Sequence, residues 1–483
     1  MDQCECNLSG RVVIPADPLY NEARQGFNRA IQQYPLVIVY CRNACDISEA
    51  VLWSKACDVP LRIRNGGHNY EGYSNGNCTL VIDVSEMNEI SLDESQNLLY
   101  VQGGVTNGQI YQFITAGGYP FPGGTCPTVG IGGYATGGGW GLSCRWLGLG
   151  CDSLEEIELV NYEGCILKAS RSCNDDLFWA CRGAGGGNFG VIVSMKFRLP
   201  PKVNFVTLIE IDYLHVKADD QEAFLQIWQS WLQGADSRIT LISRIYNSRE
   251  DGLAMLVRGI FYGDVQEAQI LMQPFLDLPN ARARFEAVTF SEAAAIIGSS
   301  YPPYEKFEAV SRYVLREWTT SEIAGLVGLI RTPAEGSVFA GLSLYALGGR
   351  VGEIPQEETA FYYRNAHFIV WLETVWEDHC FQRENHKWIS DRFPDLAAVT
   401  EGSYVNFPYS CLPNYLEEYY GSFVQRLREI KKRYDPCNRF SFPQGIWRTV
   451  QPSDTPAGIS GEYHEDISSG QPDIVGYRGF RYV

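Results

Sequence analysis

Two glycine-rich segments each carry one side chain that can react with a ligand. RNGGHNYEGYS, residues 64–74, contains His68, and GGTCPTVGIGGYATGGGWG, residues 123–141, contains Cys126. Glycine permits positive φ angles and close approach of the backbone to a ligand, and the second segment has nine glycines in nineteen residues, more than a turn requires. One His and one Cys in separate loops lack the paired, short spacing of zinc ligands. The two segments therefore predict a cradle for a large, flat cofactor, and no metal site.

A third glycine-rich segment, RGAGGGNFGVIVSMKFRL, covers residues 182–199. Backbone N–H groups freed by such a turn form an anion-binding concavity that suits a pyrophosphate. Gly185, Gly187 and Gly190 also satisfy G-x-G-x-x-G, but in a Rossmann dinucleotide site this motif opens a helix. Here it is followed by residues typical of a strand, which argues against a nicotinamide-dependent enzyme.

Two more segments are less specific when each is considered alone. LVIDVSEMNEI, residues 80–90, begins as a buried strand, and YDPCNRFSFPQGI, residues 434–446, is typical of a proline-punctuated turn after a helix. Taken together and in this order, the five segments resemble the berberine-bridge-enzyme-like branch of the FAD-linked oxidases, also called the vanillyl-alcohol-oxidase type. The resemblance covers nearly all 483 residues.

The resemblance implies an α+β fold and a cofactor. A PCMH-type FAD-binding domain would carry an inserted substrate domain, built on an antiparallel sheet backed by helices. His68 would be joined to the flavin 8α-methyl group and Cys126 to flavin C6, giving bicovalent FAD. Residues 80–90 would border the adenine pocket, although a plain core strand explains them equally well. Further implied FAD contacts are Arg64, Asn65, Gly66, Gly67, Asn69, Gly72, Thr128, Val129, Gly130, Gly132, Gly133, Gly137, Gly138, Gly190, Val191, Asn438 and Gln444.

Catalysis in such an enzyme needs a C–H bond held over flavin N5 and a base for the adjoining proton. Tyr70 matches a tyrosine lining the family's active site, and Tyr404 matches the first tyrosine of its Y-x-N-[YH] segment. Phe407 stands where relatives place a tyrosine or histidine implicated in base catalysis, and phenylalanine cannot accept a proton. Tyr345 replaces an acid used by some carbohydrate-oxidising members.

The strand predicted at residues 366–376 has no clear acid where berberine bridge enzymes carry a catalytic glutamate. The nearest polar residues in register are His367 and Glu373, and a strand histidine is often only a structural hydrogen-bonding residue. We therefore predict Tyr70, Tyr404, His367 and Tyr345 as catalytic candidates, and Trp140, Ser343 and Glu373 as substrate-binding residues. The alternative is an aromatic pocket of Tyr70, Tyr345, Tyr404 and Trp140, with proton removal by Tyr70 or Tyr404.

The predicted function is oxidation of an alcohol, sugar hemiacetal or natural product, with O₂ as the acceptor. In this family a valine at the position of Val129 accompanies fast reoxidation by O₂, whereas leucine accompanies dehydrogenase behaviour. Two alternatives remain open. One is a flavin dehydrogenase with another acceptor. The other is a flavin-binding assembly protein with little turnover, since relatives that share YVNFPY resemble spore-associated proteins.

Composition limits the partners and the location. The chain is 45% hydrophobic and 20% charged, and no apolar run of about 18 residues predicts a membrane span. Its formal charge of −18 would repel nucleic acid and acidic membranes. The N-terminus lacks the basic and apolar regions of a signal peptide, which predicts a cytoplasmic protein. The fifteen cysteines are simplest as reduced thiols, and the lone Cys4-x-Cys6 pair is not expected to bind metal.

Periodicity predicts a nested plan. We expect an FAD-binding domain over residues 1–201, a substrate domain over 202–415 and a return to the FAD-binding domain over 416–483, ending in a tail. Asp46 and Glu49 predict a capping box for a helix at residues 48–57, and Gly117 and Gly118 end a helix that begins at residue 108. Helices are also predicted at 221–232 and 415–434. Sheet strands are expected at 36–40, 61–64, 203–214, 240–246, 337–347 and 366–376.

Overall fold

The computed structural model describes residues 8–447. The predictions for Cys4, Cys6 and the C-terminal tail fall outside this range.

The fold is α+β, as predicted, with three sheets. The helices are α1 (Tyr20–Ala23), α2 (Ala44–Ala56), α3 (Asn107–Ile114), α4 (Ile131–Thr136), α5 (Cys144–Leu147), α6 (Asp175–Ala180), α7 (Ala218–Gly234), α8 (Val265–Leu271), α9 (Gln273–Leu276), α10 (Phe290–Gly298), α11 (Thr320–Arg331), α12 (Arg350–Glu353), α13 (Gln382–Ala397), α14 (Tyr415–Tyr420) and α15 (Val424–Tyr434).

Two sheets form the region that carries the glycine-rich segments. The four-stranded sheet has the order β1-β2-β4-β3, with β4 parallel to both neighbours, and the antiparallel five-stranded sheet has the order β5-β6-β9-β7-β8. The prediction that the third glycine-rich segment leads into a strand, not a Rossmann helix, is confirmed by β9. The strands are β1 (Arg11–Val13), β2 (Val37–Tyr40), β3 (Leu61–Arg64), β4 (Leu80–Asp83), β5 (Ile90–Asp93), β6 (Leu98–Gln102), β7 (Leu154–Val160), β8 (Ile166–Ser170) and β9 (Val191–Arg198).

The third sheet has seven antiparallel strands in the order β13-β10-β12-β11-β15-β16-β14. One face packs on α7, α11 and α13, and the other faces the glycine-rich loops. Four of its strands were predicted, whereas β12, β13 and β14 were not. The strands are β10 (Val206–Tyr213), β11 (Ile239–Ser248), β12 (Gly252–Phe261), β13 (Arg282–Val288), β14 (Phe307–Val314), β15 (Ser337–Ala346) and β16 (Phe368–Trp376).

Two predicted helix features are wrong. Helix α2 begins earlier than expected, because the side chain of Asn43 accepts hydrogen bonds from the N–H groups of Cys45 and Asp46. Asp46 lies inside the first turn and accepts from Ser9 and from the Arg42 N–H instead of capping. The single helix predicted at 415–434 is two helices, α14 and α15. They separate at Gly421, whose φ of +50° and tight contact with the Tyr362 ring exclude a side chain there.

Other helix predictions are confirmed. Helix α3 ends in a short 3₁₀ turn, after which Gly118 adopts the left-handed conformation. Helix α7 buries Phe224 and Trp228 completely, as its apolar face predicts. Between residues 8 and 447, no helix combines the length and the apolar character needed to cross a bilayer, and no disulfide joins any two cysteines.

Candidate active site

A cavity of about 560 Å³ lies between the glycine-rich loops and the seven-stranded sheet, a size typical of ligand sites. All three glycine-rich segments contribute to its wall, together with Phe440, Ser441, Phe442 and Gln444 of the C-terminal block. The opposite wall is the face of β11, β12, β15 and β16 that the helices leave uncovered. Segments distant in sequence therefore meet around one space.

His68 and Cys126 lie on the same side of this cavity, with one hydroxyl between them. Thr128 Oγ1 is 2.7 Å from His68 Nε2 and 3.4 Å from Cys126 Sγ. The ring of Phe27 stacks on the imidazole, with centroids 4.3 Å apart. Burial lowers the pKa of His68 to about 4, so its imidazole is neutral at physiological pH. A neutral imidazole has the free nitrogen lone pair that bond formation requires.

The cavity wall matches the needs of a flavin nucleotide. A Cβ built on Gly133 would meet nothing within 4 Å, whereas one on Gly66 would lie 2.5 Å from the Thr128 carbonyl. The loops thus touch each other at Gly66 and leave open space at Gly133. Two polar atoms of the wall, Asn65 Oδ1 and the Tyr73 hydroxyl, are buried without a hydrogen-bond partner. Such atoms are normally satisfied in a complete protein, so a polar, extended ligand such as FAD fits here.

Most of the residues predicted to contact FAD line the cavity. They are Asn65, Gly66, Gly67, His68, Asn69, Cys126, Val129, Gly130, Gly132, Gly133, Gly190 and Gln444. Gln444 is fixed from both ends of its amide, because Nε2 donates to the Tyr409 carbonyl and Oε1 accepts from the Tyr419 hydroxyl.

The other predicted contacts lie outside the cavity wall. Arg64 is buried in an ion pair with Asp83, at 2.5 Å. Thr128 is exposed. Val191 lies in the apolar core of β9, and Asn438 is a left-handed turn residue. The three glycines Gly72, Gly137 and Gly138 make room for Ile31, Asn406 and Phe361, respectively.

An aromatic wall, defined here as Tyr70, Trp140, Tyr345, Trp371 and Phe407, closes the substrate side. Tyr70 packs against both Trp371 and Phe407, with centroids 5.5 and 5.3 Å away, and the centroids of those two rings are 5.7 Å apart. Trp140 packs edge-on against Tyr345 at 4.8 Å, and its indole N–H donates to the Ala346 carbonyl. Burial raises the pKa of Tyr70 and of Tyr345 well above 10. The wall is therefore aromatic and uncharged.

Tyr404, also predicted as catalytic, lines the cavity but its hydroxyl is already engaged. The oxygen accepts hydrogen bonds from the backbone N–H groups of Gly139, at 2.9 Å, and Trp140, at 3.1 Å. The Asn406 amide donates to the same oxygen at 3.1 Å. Burial raises the pKa of Tyr404. Its geometry is that of an anchor for the loop carrying Trp140.

A polar group interrupts the aromatic wall. Glu373 is 3% exposed, and its Oε1 is 3.3 Å from Arg244 Nη2 and accepts from the Ser343 hydroxyl at 3.2 Å. Arg244 Nε also donates to Ser343, at 2.7 Å. Burial raises the pKa of Glu373, while Arg244 opposes the rise. Glu305, across the cavity, has its pKa raised to about 7 by burial and by Glu373.

His367 is outside the cavity, contrary to its prediction as a catalytic candidate. It precedes β16 by one residue, and its backbone bonds to Val314 and Leu347. Sequence reasoning missed Trp371, Arg244 and Glu305. A signal existed for the first two, because Trp371 shares the strand face of Glu373, and Arg244 is a charge within an apolar strand.

The fold and site define an FAD-linked oxidoreductase, and comparisons agree. Residues 35–170 match the family described as FAD binding domain, and residues 403–447 match Berberine and berberine like. The chain is 35% identical over 450 residues to the uncharacterized FAD-linked oxidoreductase YgaK of Bacillus subtilis, covering 91% of this chain and 97% of the relative. It is 27% identical to an aclacinomycin-N/aclacinomycin-A oxidase of Streptomyces galilaeus, covering 86% of each.

Among solved structures, Physcomitrella patens BBE-like 1 superposes with a TM-score of 0.84 at 26% identity, covering 92% of this chain and 98% of that one. The chain therefore belongs to the berberine-bridge-enzyme-like family of FAD-linked oxidoreductases.

Proposed function

We propose that this protein is an oxidase that holds FAD through covalent bonds to His68 and Cys126. Its substrate would be an alcohol, a sugar hemiacetal or a flat natural product, and O₂ its electron acceptor. One observation carries the proposal: a single cavity joins the loops of His68 and Cys126 to the aromatic wall and to the carboxyl group of Glu373. The covalent attachment and the use of O₂ rest on the family resemblance and on this geometry.

FAD, when bound, supplies the acceptor for a hydride from the substrate. The protein's own task is to position the C–H bond and to exclude water. The aromatic wall suits this, because the rings of Tyr70, Trp371 and Phe407 pack against one another and offer aromatic surface to a substrate ring. Relatives named aclacinomycin oxidase and tetrahydroberberine oxidase support a substrate containing rings.

Glu373 is the best-supported proton acceptor. Phe407 has no proton-accepting atom, Tyr404 is engaged by three donors, and the raised pKa of Tyr70 keeps its phenol protonated. Arg244 and Ser343 both contact Oε1 of Glu373, and Oε2 has no hydrogen-bond partner among residues 8–447. A carboxylate held by one oxygen and open at the other is suited to accept a substrate proton.

An anaerobic substrate screen tests the oxidase function. Sugars, polyols and aromatic alcohols are mixed with purified protein while the flavin absorbance is followed. At least one class should bleach the flavin, and admitting air should restore the absorbance with formation of hydrogen peroxide. Glu373→Gln should slow bleaching by about 100-fold, within the range that general base catalysis contributes, without changing the oxidised spectrum. Protein that no substrate class bleaches, but that light reduces, would count against an oxidase.

The covalent attachment has a separate test. Denatured protein should stay yellow, and peptide mapping should find one flavin bridging the peptides of His68 and Cys126. His68→Ala or Cys126→Ala alone should leave a singly attached flavin. Recovery of all FAD as free, intact cofactor after acid precipitation of the unmutated protein would contradict this part of the proposal.

A further inference from the structure

The Thr128 hydroxyl is shared between the two side chains proposed to hold FAD. Oγ1 lies 2.7 Å from His68 Nε2 and 3.4 Å from Cys126 Sγ. Both are within hydrogen-bond distance, given the larger radius of sulfur. One small polar group therefore contacts both nucleophiles at once.

The backbone fixes this arrangement. The carbonyl of Pro127 accepts from Gly108 N–H at 2.8 Å, and that of Val129 accepts from Asn107 N–H at 3.0 Å, both at the start of α3. These bonds on either side of Thr128 turn that residue toward the His68 loop. The two loops also approach closely here, since a Cβ added to Gly66 would lie 2.5 Å from the Thr128 carbonyl.

The hydrogen-bonding capacity of a hydroxyl matches the two partners. A threonine hydroxyl donates one hydrogen bond and accepts two. Because the imidazole is neutral, its tautomer decides which ring nitrogen is nucleophilic. If His68 Nε2–H donates to Oγ1, the lone pair is on Nδ1, and the Thr128 O–H is free to donate to Cys126 Sγ. Phe27, stacked on the imidazole, limits rotation of the ring out of this position.

We propose that Thr128 is a positioning residue for attachment of FAD to both His68 and Cys126. This rests on the covalent attachment in the proposed function and adds to it the group that prepares both nucleophiles. Thr128 itself forms no bond to the cofactor. It accepts a hydrogen bond from Nε2–H of His68, which leaves the lone pair on Nδ1, and it donates its own O–H to the Cys126 sulfur.

The two attachment steps balance with O₂ as the final oxidant. On attachment, His68 Nδ1 would bond to the 8α carbon as one 8α C–H bond breaks. The 8α and Nε2 hydrogens would leave as protons, and the flavin ring would take up two electrons and two protons. Cys126 Sγ bonds to C6 with loss of the C6–H and S–H hydrogens, again with two electrons to the ring. After each step O₂ takes up the two electrons and two protons as hydrogen peroxide.

The test compares Thr128→Val, which keeps the shape without the hydroxyl, with Thr128→Ser, which keeps the hydroxyl. Protein is purified at fixed times after induction and denatured. Intact mass and peptide mapping then give the fractions of bound FAD attached at two, one or no residues. Expressing attachment per bound FAD separates slower attachment from weaker binding. Thermal unfolding of both variants checks that the exposed position leaves the fold intact.

We expect Thr128→Val to form the doubly attached species about tenfold more slowly, the effect of losing roughly one to two hydrogen bonds. Singly attached FAD should accumulate, and Thr128→Ser should approach the wild-type rate. If wild-type protein carries doubly attached FAD and Thr128→Val forms that species at the same rate, the proposed role of Thr128 is wrong while the proposed function stands. Wild-type protein with only dissociable FAD would overturn covalent attachment, and the role of Thr128 with it.

Discussion

The hydroxyl oxygen of Tyr404 accepts a hydrogen bond from the backbone N–H of Gly139, at 2.9 Å, deep inside the protein. The adjacent Trp140 N–H donates to the same oxygen. Tyr404 belongs to the segment after α13, and Gly139 to the loop after α4, so this contact joins chain segments 265 residues apart. It also fixes Trp140, whose ring forms part of the aromatic wall.

Removing this hydroxyl tests whether Tyr404 is an anchor or a base. Tyr404→Phe leaves two buried N–H groups without an acceptor, at about 1–3 kcal/mol each, so we expect a loss of about 2–6 kcal/mol in unfolding free energy. Denaturant unfolding measures the loss, with Tyr304→Phe, on an exposed ring, as the control. Unchanged stability combined with slow flavin reduction by substrate would instead identify Tyr404 as catalytic.

Local sequence signals predicted the elements that satisfy local rules. Val37–Tyr40 and Leu61–Arg64 are short apolar strands next to turn residues, and β9 follows its glycine-rich segment directly. Strand β13 was missed because six of its seven side chains are either charged or small and apolar. None of the seven is fully buried, so the strand has no apolar face that a pattern could reveal. Helix α2 was misplaced because Asn43 and Asp46 are both good capping residues, and only the backbone geometry distinguishes them.

Only the part of the site that lies within the glycine-rich motifs could be predicted from the sequence. His68 and Cys126 lie in recognisable segments, but the pairing of Glu373 with Arg244 depends on the order of β11, β15 and β16, which no local pattern specifies. The stacking of Phe27 on His68 is likewise a contact across 41 residues. His367 has the same alternation along the chain as Glu373. However, β16 begins one residue after it, and His367 does not line the cavity.

A buried ion pair ties the C-terminal block to the third glycine-rich segment. Lys431 Nζ is 2.7 Å from Asp435 and also donates to the carbonyls of Asn188 and Phe440. Lys431→Met would leave the Asp435 carboxylate buried without its cation, and we expect about 3–5 kcal/mol of destabilisation. Thermal unfolding should show a lower melting temperature, whereas Lys432→Met, on the exposed side of α15, should change little. Equal melting temperatures for both variants would contradict this role of the pair.

Glu305 should make stability depend on pH. Its pKa is raised from 4.5 to about 7 in the folded protein, so between these values the native state binds more protons than the unfolded state. The unfolding free energy therefore falls as pH rises through this window. Relative to wild type, Glu305→Gln should gain about 1–2 kcal/mol between pH 4.5 and 7.5, less than the full shift implies because the side chain is partly exposed.

Chemical denaturation at a series of pH values measures this difference. Glu49→Gln, an exposed carboxyl on α2, is the control and should follow the wild-type curve. A Glu305→Gln curve parallel to wild type across the window would show that Glu305 ionises as it does in the unfolded chain.

Val129 connects the cavity to the proposed reaction with O₂. It is half-buried, lines the cavity and follows Thr128 in the turn beside Cys126. The larger leucine side chain would fill the small space beside the flavin that O₂ must enter, whereas valine leaves it open. We expect Val129→Leu to slow reoxidation about tenfold, the factor given by about 1.4 kcal/mol of added barrier, while reduction by substrate is largely unchanged.

Stopped-flow mixing of photoreduced protein with O₂ measures this without knowledge of the substrate. Val265→Leu, the same substitution at the half-buried first residue of α8 and away from the cavity lining, should reoxidise like wild type. Slow reoxidation of the native protein, unaltered by leucine at 129, would identify a dehydrogenase that passes its electrons to another acceptor.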